Sequence, residues 1–167
     1  MIPVPRKILL GVLVALAIGV LWWMLPSEED RIRRVLEQAR ASVSSEGKPG
    51  DGLALLARVG ALAQCLTRDV EIQVDVFDGL SGNLSGVDEV RAAAAGLGQQ
   101  LPGLKVRFSE IQIIDLQPTS ARATVVASID TGSRNGQAAQ EFELLFRKWE
   151  GRWYISKVAT VRALRSR

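Results

Sequence analysis

The chain has 167 residues and a net charge of +3, and it contains no histidine and one cysteine. Two of the basic residues, Arg6 and Lys7, precede a long apolar run, so the rest of the chain is close to neutral, with 19 basic and 18 acidic side chains. A nucleic-acid binder needs a basic face, whereas ordinary catalytic triads and most zinc sites need histidine, so the composition argues against these classes. Cys65 has no partner for an intrachain disulfide, and we expect neither a metal nor a cofactor.

The apolar run covers residues 8–25, from Ile8 to Leu25, and its 18 residues include no charged side chain. As a helix it would measure roughly 27 Å, which is close to the thickness of the hydrocarbon core of a bilayer. Trp22 and Trp23 lie near its end, where interfacial aromatic residues are common, and Pro26 follows. The run predicts a transmembrane helix; the alternative is a buried core helix.

A cleaved secretory signal is a second alternative for this segment, because basic residues precede it. The end of the run is bulky, from Leu21 to Leu25, and lacks the small residues that a cleavage site needs, so we expect an uncleaved anchor. Positive charges lie on both sides of the run, but the short basic tail resembles a signal anchor and favours an extracytoplasmic domain. We therefore predict a single-pass protein of the cell membrane, with residues 1–26 as tail and anchor and 27–167 as one soluble domain.

Three helices are predicted after the anchor, each from apolar residues at helical spacing. The first begins after Ser27, which precedes acidic residues as an N-cap does, and runs to about Ser44. The second, after a loop rich in glycine, ends near Thr67, with Cys65 near its border as a small half-buried residue. The third runs from Val87 to about Leu101.

The remaining pattern alternates with the period of a strand. Strands are predicted over 70–76, 104–116, 121–129, 142–146 and 153–161, with a loop over 79–86 and a tight turn at Glu150 and Gly151. Within 104–116 the apolar residues change faces, which indicates a bulge or a sharp bend. The predicted class is α+β, with three helices packed on an antiparallel sheet.

The order of helix, helix, strand, helix and four strands, with a last hairpin reading RKWEGRWYI from Arg147 to Ile155, resembles the nuclear transport factor 2-like superfamily. It is similar in layout to SnoaL-like cyclases, ketosteroid isomerase and scytalone dehydratase. The resemblance covers roughly residues 28–163 and implies a curved, cystatin-like sheet that forms a cone with a pocket. An anchor ahead of such a fold also resembles inner-membrane scaffold subunits of type IV secretion systems.

No catalytic motif of the family aligns with this chain, so candidate site residues follow from the strand pattern alone. Without a bulge, Glu110 and Gln112 would share the inner face with Phe108, and a carboxylate there would have a raised pKa suited to acid–base work. A bulge would instead turn Ile111 and Ile113 inward and leave the carboxylate in water. Tyr154 and Asp115 are further candidates, and the alternative for all four is a solvated sheet face.

Small residues also mark one face of a strand, where Ala121, Ala123 and Ala127 alternate. They indicate either a closely packed helix, such as the one with alanines over 92–95, or a cavity for an apolar ligand. Glu110, Gln112, Ala123 and Ala127 are accordingly the candidate ligand-binding residues.

Leu145 and Trp149 on the open face of the sheet are candidates for an interface, either in a homodimer or with another envelope protein. Three functions therefore stay open. The first is a membrane-tethered, non-enzymatic interaction or scaffold domain of an envelope complex. The second is a carrier of an apolar small ligand, and the third is a SnoaL-like isomerase, cyclase or dehydratase.

Overall fold

The structure is a computed structural model that describes residues 26–44, 52–76, 80–100, 104–130 and 137–161. These residues form three helices and six strands, which confirms the α+β class. In chain order the elements are α1 (Glu28–Val43), α2 (Gly52–Gln64), β1 (Leu66–Val76), β2 (Leu80–Ser85), α3 (Val87–Gln100), β3 (Lys105–Leu116), β4 (Ser120–Asp130), β5 (Gln137–Trp149) and β6 (Arg152–Thr160).

The six strands form one sheet in the order β2-β1-β6-β5-β4-β3. All neighbouring strands are antiparallel except β1 and β6, which run parallel. The meander from β3 to β6 follows the prediction. The helices pack on the sheet, with α1 against β3 and β6, and α3 against β1 and β2.

One predicted loop is wrong. Residues 80–85 form β2, which pairs with β1 from Val76↔Leu80 to Glu71↔Ser85. Gly82, Asn83 and Ser85 favour turns, so the local sequence indicates a loop. Pairing with β1 overrides this preference, and Leu84 packs against the core from this strand.

The predicted irregularity in β3 is confirmed as a bulge. The register with β4 shifts between Ser109 and Gln112, and Glu110 has a φ of 51°. Phe108 packs on the core before the shift, and Ile111 and Ile113 pack on it afterwards. A second shift follows between Ile113 and Asp115. Such bulges increase the bend of a strand and suit a curved sheet.

The turn between β5 and β6 is also as predicted. Trp149 pairs with Arg152, and the two residues between them, Glu150 and Gly151, have φ values of 48° and 78°. Two consecutive positive φ values are typical of a type I′ hairpin turn, which matches the twist of the strands that it joins.

The first helix begins and ends with specific contacts. Ser27 and Asp30 form a capping box at its start, as the acidic first turn suggested. Ile32, Leu36 and Ala39 point from α1 into the core. Leu36 and Ile32 are fully buried there, together with Phe146 and Val125 from the inner face of the sheet.

The predicted anchor, residues 8–25, lies outside the described residues. Among the helices that the structure does describe, none combines the length and apolar character needed to cross a bilayer. The division at residue 26 stays a prediction.

Candidate functional site

The inner face of the sheet is occupied by the chain's own apolar side chains. One buried cluster joins Leu36 of α1 to Phe146, Trp153 and Ile155 of the last two strands. Protein interiors pack as densely as organic crystals, so side chains at this position exclude a ligand of similar size. The described part of the sheet therefore has a packed core along the α1 helix.

The alanines of β4 are part of this packing. Ala121, Ala123 and Ala127 are buried, and the first two belong to the same cluster as α1. Ala121 and Ala123 thus lie in a packed cluster with Leu36 and Ala39 of α1, and Ala94 of α3 also packs against this cluster. Ala92 and Ala93 of α3 are exposed, because α3 packs on β1 and β2 at the other edge of the sheet.

Glu110 and Gln112 do not face the core. Both are exposed, and Gln112 pairs with Thr124, whose neighbours Ala123 and Val125 point to the inner face. The bulge is the reason, because it inserts Glu110 and moves Ile111 inward. A catalytic or ligand-binding Glu110 would have to point inward, and this prediction is wrong. The Glu110 carboxylate is exposed to water, which was the alternative.

The other two polar candidates also lie away from the core. Asp115 is exposed and accepts a hydrogen bond from the Gln117 side chain at 2.9 Å. Tyr154 alternates with the buried Trp153 and Ile155 and so faces outward, where the Arg152 guanidinium lies 5.6 Å from its ring centroid. The four candidates do not converge on one site.

A small cavity of about 40 Å³ lies between the helices rather than under the sheet. Its lining includes Val43, Leu55, Arg58, Leu97 and Leu104. Pockets for small molecules usually measure about 300–1,000 Å³, so this space is far below that range. No group of three or more side chains suited to a metal ion occurs within the ranges that the structure describes.

A polar cluster that the sequence did not predict joins α1 to the β5–β6 hairpin. Glu28 Oε2 accepts hydrogen bonds from Lys148 Nζ at 2.8 Å and from Trp153 Nε1 at 2.7 Å. Lys148 Nζ also lies 5.4 Å from the Trp153 ring centroid, and Arg31 is 3.3 Å from the other Glu28 oxygen. The first turn of α1 is thereby fixed to the end of the sheet.

The charge of Glu28 is stabilised by these contacts. The hydrogen bond from Lys148, followed by that from Trp153, lowers the pKa of Glu28 from its ordinary value, against the opposing effect of burial. The sequence contained one indication of this cluster. Side chains of β5 alternate between the two faces of the sheet, which places Lys148 on the same face as the buried Phe146. A lysine on an inner face needs an acidic partner.

The outer face of the sheet carries both predicted interface residues. Leu145 is half-buried between Arg122 of β4 and Lys157 of β6, and Trp149 is exposed at the end of β5. Ion pairs surround them, at 4.0 Å for Arg122–Glu143, 3.2 Å for Arg147–Asp69 and 3.2 Å for Lys157–Glu71. The face is therefore mixed, with charged pairs around one central leucine.

Cys65 is buried between α2 and β1, and its Sγ lies 3.5 Å from the Ala61 carbonyl. Burial raises the pKa of this thiol, which keeps it protonated and unreactive.

Solved structures share this architecture. One is a protein of unknown function with a cystatin-like fold from Nostoc punctiforme. Its sequence is 16% identical, the match covers 85% of this chain and 98% of that protein, and the TM-score is 0.60. The fold is that of the nuclear transport factor 2-like proteins. An NTF-2-like protein of unknown function from Shewanella oneidensis MR-1 has this fold too, with 17% identity, 80% and 98% coverage and a TM-score of 0.60.

A candidate scytalone dehydratase from Novosphingobium aromaticivorans is also similar, with 17% identity, 80% and 82% coverage and a TM-score of 0.58. At such low identity these likenesses establish the nuclear transport factor 2-like fold and nothing about activity. No protein-family model and no curated protein sequence matches the chain.

Proposed function

We propose that this chain is a non-enzymatic interaction or scaffold domain of an envelope complex, held at the cell membrane by residues 8–25. The soluble domain would lie on the extracytoplasmic side. The observation that carries the proposal is the packed inner face of the sheet, where Leu36, Val125 and Phe146 are buried in one apolar cluster.

The outer face supports the same proposal. Leu145 is an apolar residue amid a ring of charged side chains, and protein interfaces commonly combine an apolar centre with a polar rim. Exposed ion pairs contribute only about 0–1 kcal/mol each, so a partner could rearrange them at little cost. The partner would be a second copy of the chain or another envelope protein.

The two other candidate functions have narrower support. An apolar carrier could use the 40 Å³ cavity near Leu55 and Leu97, which would need to widen several-fold to hold a ligand. A dehydratase, cyclase or isomerase is favoured only by the likeness to the candidate scytalone dehydratase, and its acid–base group would have to be other than the exposed Glu110.

A photo-crosslinker tests the proposed interface in the full chain. A benzophenone amino acid replaces Leu145 in one variant and Leu56, an exposed leucine on α2, in the control. In membranes of cells that make the protein, we expect adducts with a second copy or another envelope protein from position 145 and few from position 56. Equal yields at both positions, or none at 145, would contradict the proposal.

A further inference from the structure

We propose that one end of the sheet rests on the bilayer that holds the anchor, an inference that depends on the membrane attachment proposed above. This surface, here called the proximal end, consists of Ile114, Leu116, the turn over 117–120 and the β5–β6 turn with Trp149. Its occupant is the boundary between lipid headgroups and acyl chains.

The position of α1 sets this end close to the membrane. Its first residue, Glu28, follows Leu25 by three residues, and three residues span at most about 10 Å. Glu28 accepts hydrogen bonds from Lys148 at 2.8 Å and Trp153 at 2.7 Å, and these two residues pair with each other on either side of the β5–β6 turn. The turn is therefore held within a short distance of the point where the chain would leave the bilayer.

A second turn is joined to the same end. The backbone N–H of Lys148 donates to the Thr119 carbonyl at 2.7 Å, which fixes the β3–β4 turn beside the hairpin. Just before that turn lie Ile114 and Leu116, which are 59% and 38% exposed. With Trp149 at 66%, three of the large apolar side chains that the described residues expose lie at this one end.

The chemistry of these side chains suits a lipid interface. Tryptophan is enriched there because its ring is apolar and its N–H stays hydrated, and arginine extends an apolar stem toward phosphate. Arg152 pairs with Trp149 across the turn. Arg147 and Lys148 are already paired with Asp69 and Glu28, so the contact would depend on apolar insertion more than on charge. It should form on phosphatidylcholine without anionic lipid.

Fluorescence quenching in reconstituted vesicles tests this contact with the full chain. A fluorophore is attached at Arg152→Cys or, as the control, at Leu56→Cys, which lies on α2 and is as exposed as Trp149. The native Cys65 is buried, so the introduced thiol reacts selectively. Phosphatidylcholine vesicles are prepared with and without a lipid that carries a nitroxide on its headgroup.

We expect the nitroxide lipid to reduce emission from position 152 and to leave emission from position 56 unchanged. Adding Trp149→Ser to the labelled Arg152→Cys chain should restore much of the lost emission, whereas adding Leu56→Ser should not. Circular dichroism on each variant confirms that the fold is retained, so that restored emission reports lost contact rather than unfolding.

Four outcomes would overturn the inference, and flotation of the vesicles separates a failed attachment from a failed contact. If the protein does not float with the vesicles, the anchor and the proposed membrane attachment fail together with this contact. If it floats but both labels are quenched equally, or Trp149→Ser has no effect, the attachment stands and the contact fails. Self-quenching at position 152 that rises with protein density, without nitroxide quenching, would identify a second copy as the occupant.

Discussion

The side chain of Ser44 satisfies both backbone groups of Val106. Its Oγ donates to the Val106 carbonyl at 3.0 Å and accepts from the Val106 N–H at 3.1 Å. Because β3 is an edge strand of the sheet that the described residues form, none of the described strands lies beside these groups on that side. The end of α1 thus completes the hydrogen bonding of an edge strand and fixes the helix across the sheet.

Replacing this hydroxyl should destabilise the fold. Ser44→Ala leaves a buried N–H and carbonyl with a lost partner, which costs about 1–3 kcal/mol. Urea unfolding of the full chain in a mild detergent measures the difference. Ser42→Ala is the control, because its hydroxyl donates to the Gln38 carbonyl of its own helix and its loss should have little effect. Equal costs for both variants would contradict this role.

The contact between Glu28 and Lys148 should make stability depend on pH. The pKa of Glu28 is lowered in the fold, so its stabilising effect is fully present above the ordinary glutamate pKa of about 4.3 and is lost as the pH falls through the lower folded value. Glu28→Gln should cost roughly 1 kcal/mol at pH 7, since the carboxylate is partly exposed.

The difference between wild type and Glu28→Gln should shrink as the pH is lowered toward 3, as measured by unfolding at several pH values. Glu29→Gln is the matched control, because Glu29 is exposed in the same helical turn. A cost for Glu28→Gln that stays constant between pH 7 and pH 3 would show that the charge of Glu28 does not contribute.

A larger side chain on β4 tests whether the inner face is filled. Ala123 is fully buried in the cluster that also contains Leu36 of α1, so Ala123→Leu should overpack the core and destabilise the fold by about 1–3 kcal/mol. Ala93→Leu on the exposed face of α3 should change stability by less than about 0.5 kcal/mol. An Ala123→Leu variant as stable as wild type would instead reveal space for a ligand.

The bulge in β3 should be sensitive to the residue that adopts its positive φ. The φ of Glu110 is 51°, which lies in the left-handed region. This conformation costs a residue with a branched side chain roughly 1–2 kcal/mol. Glu110→Val should therefore be clearly less stable than Gln112→Val, an exposed substitution on the same strand. Glu110→Gly should be tolerated, because glycine adopts this conformation freely. Equal stability of the two valine variants would contradict a strained bulge.

Much of this fold follows from local patterns. The period of apolar residues indicated α1, α2 and α3 and the strands of the meander, and the change of face in 104–116 indicated the bulge. By contrast, β2 exists because it pairs with β1, and its own residues favour a turn. The local sequence of a segment does not show which strand it will pair with, and that pairing determines whether residues 80–85 form a strand or a loop.

The candidate site was harder to predict for the same reason. The face of the sheet to which Glu110 points depends on the exact position of the inserted residue in the bulge. A shift of the register by one residue moves every side chain of the strand to the opposite face. The cluster of Glu28, Lys148 and Trp153 joins residues far apart in the chain. Helical periodicity assigns Glu28 only to the first turn of α1, and the contact appears once the hairpin is placed beside it.

Native mass spectrometry of the full chain, released from detergent, tests the central claim most directly. If the inner face is filled and the chain acts through its outer surface, the observed masses should be the polypeptide of 18.1 kDa, its multiples, or its complexes with another protein. A monomer that consistently carries the extra mass of an apolar small molecule would contradict this account and favour a carrier.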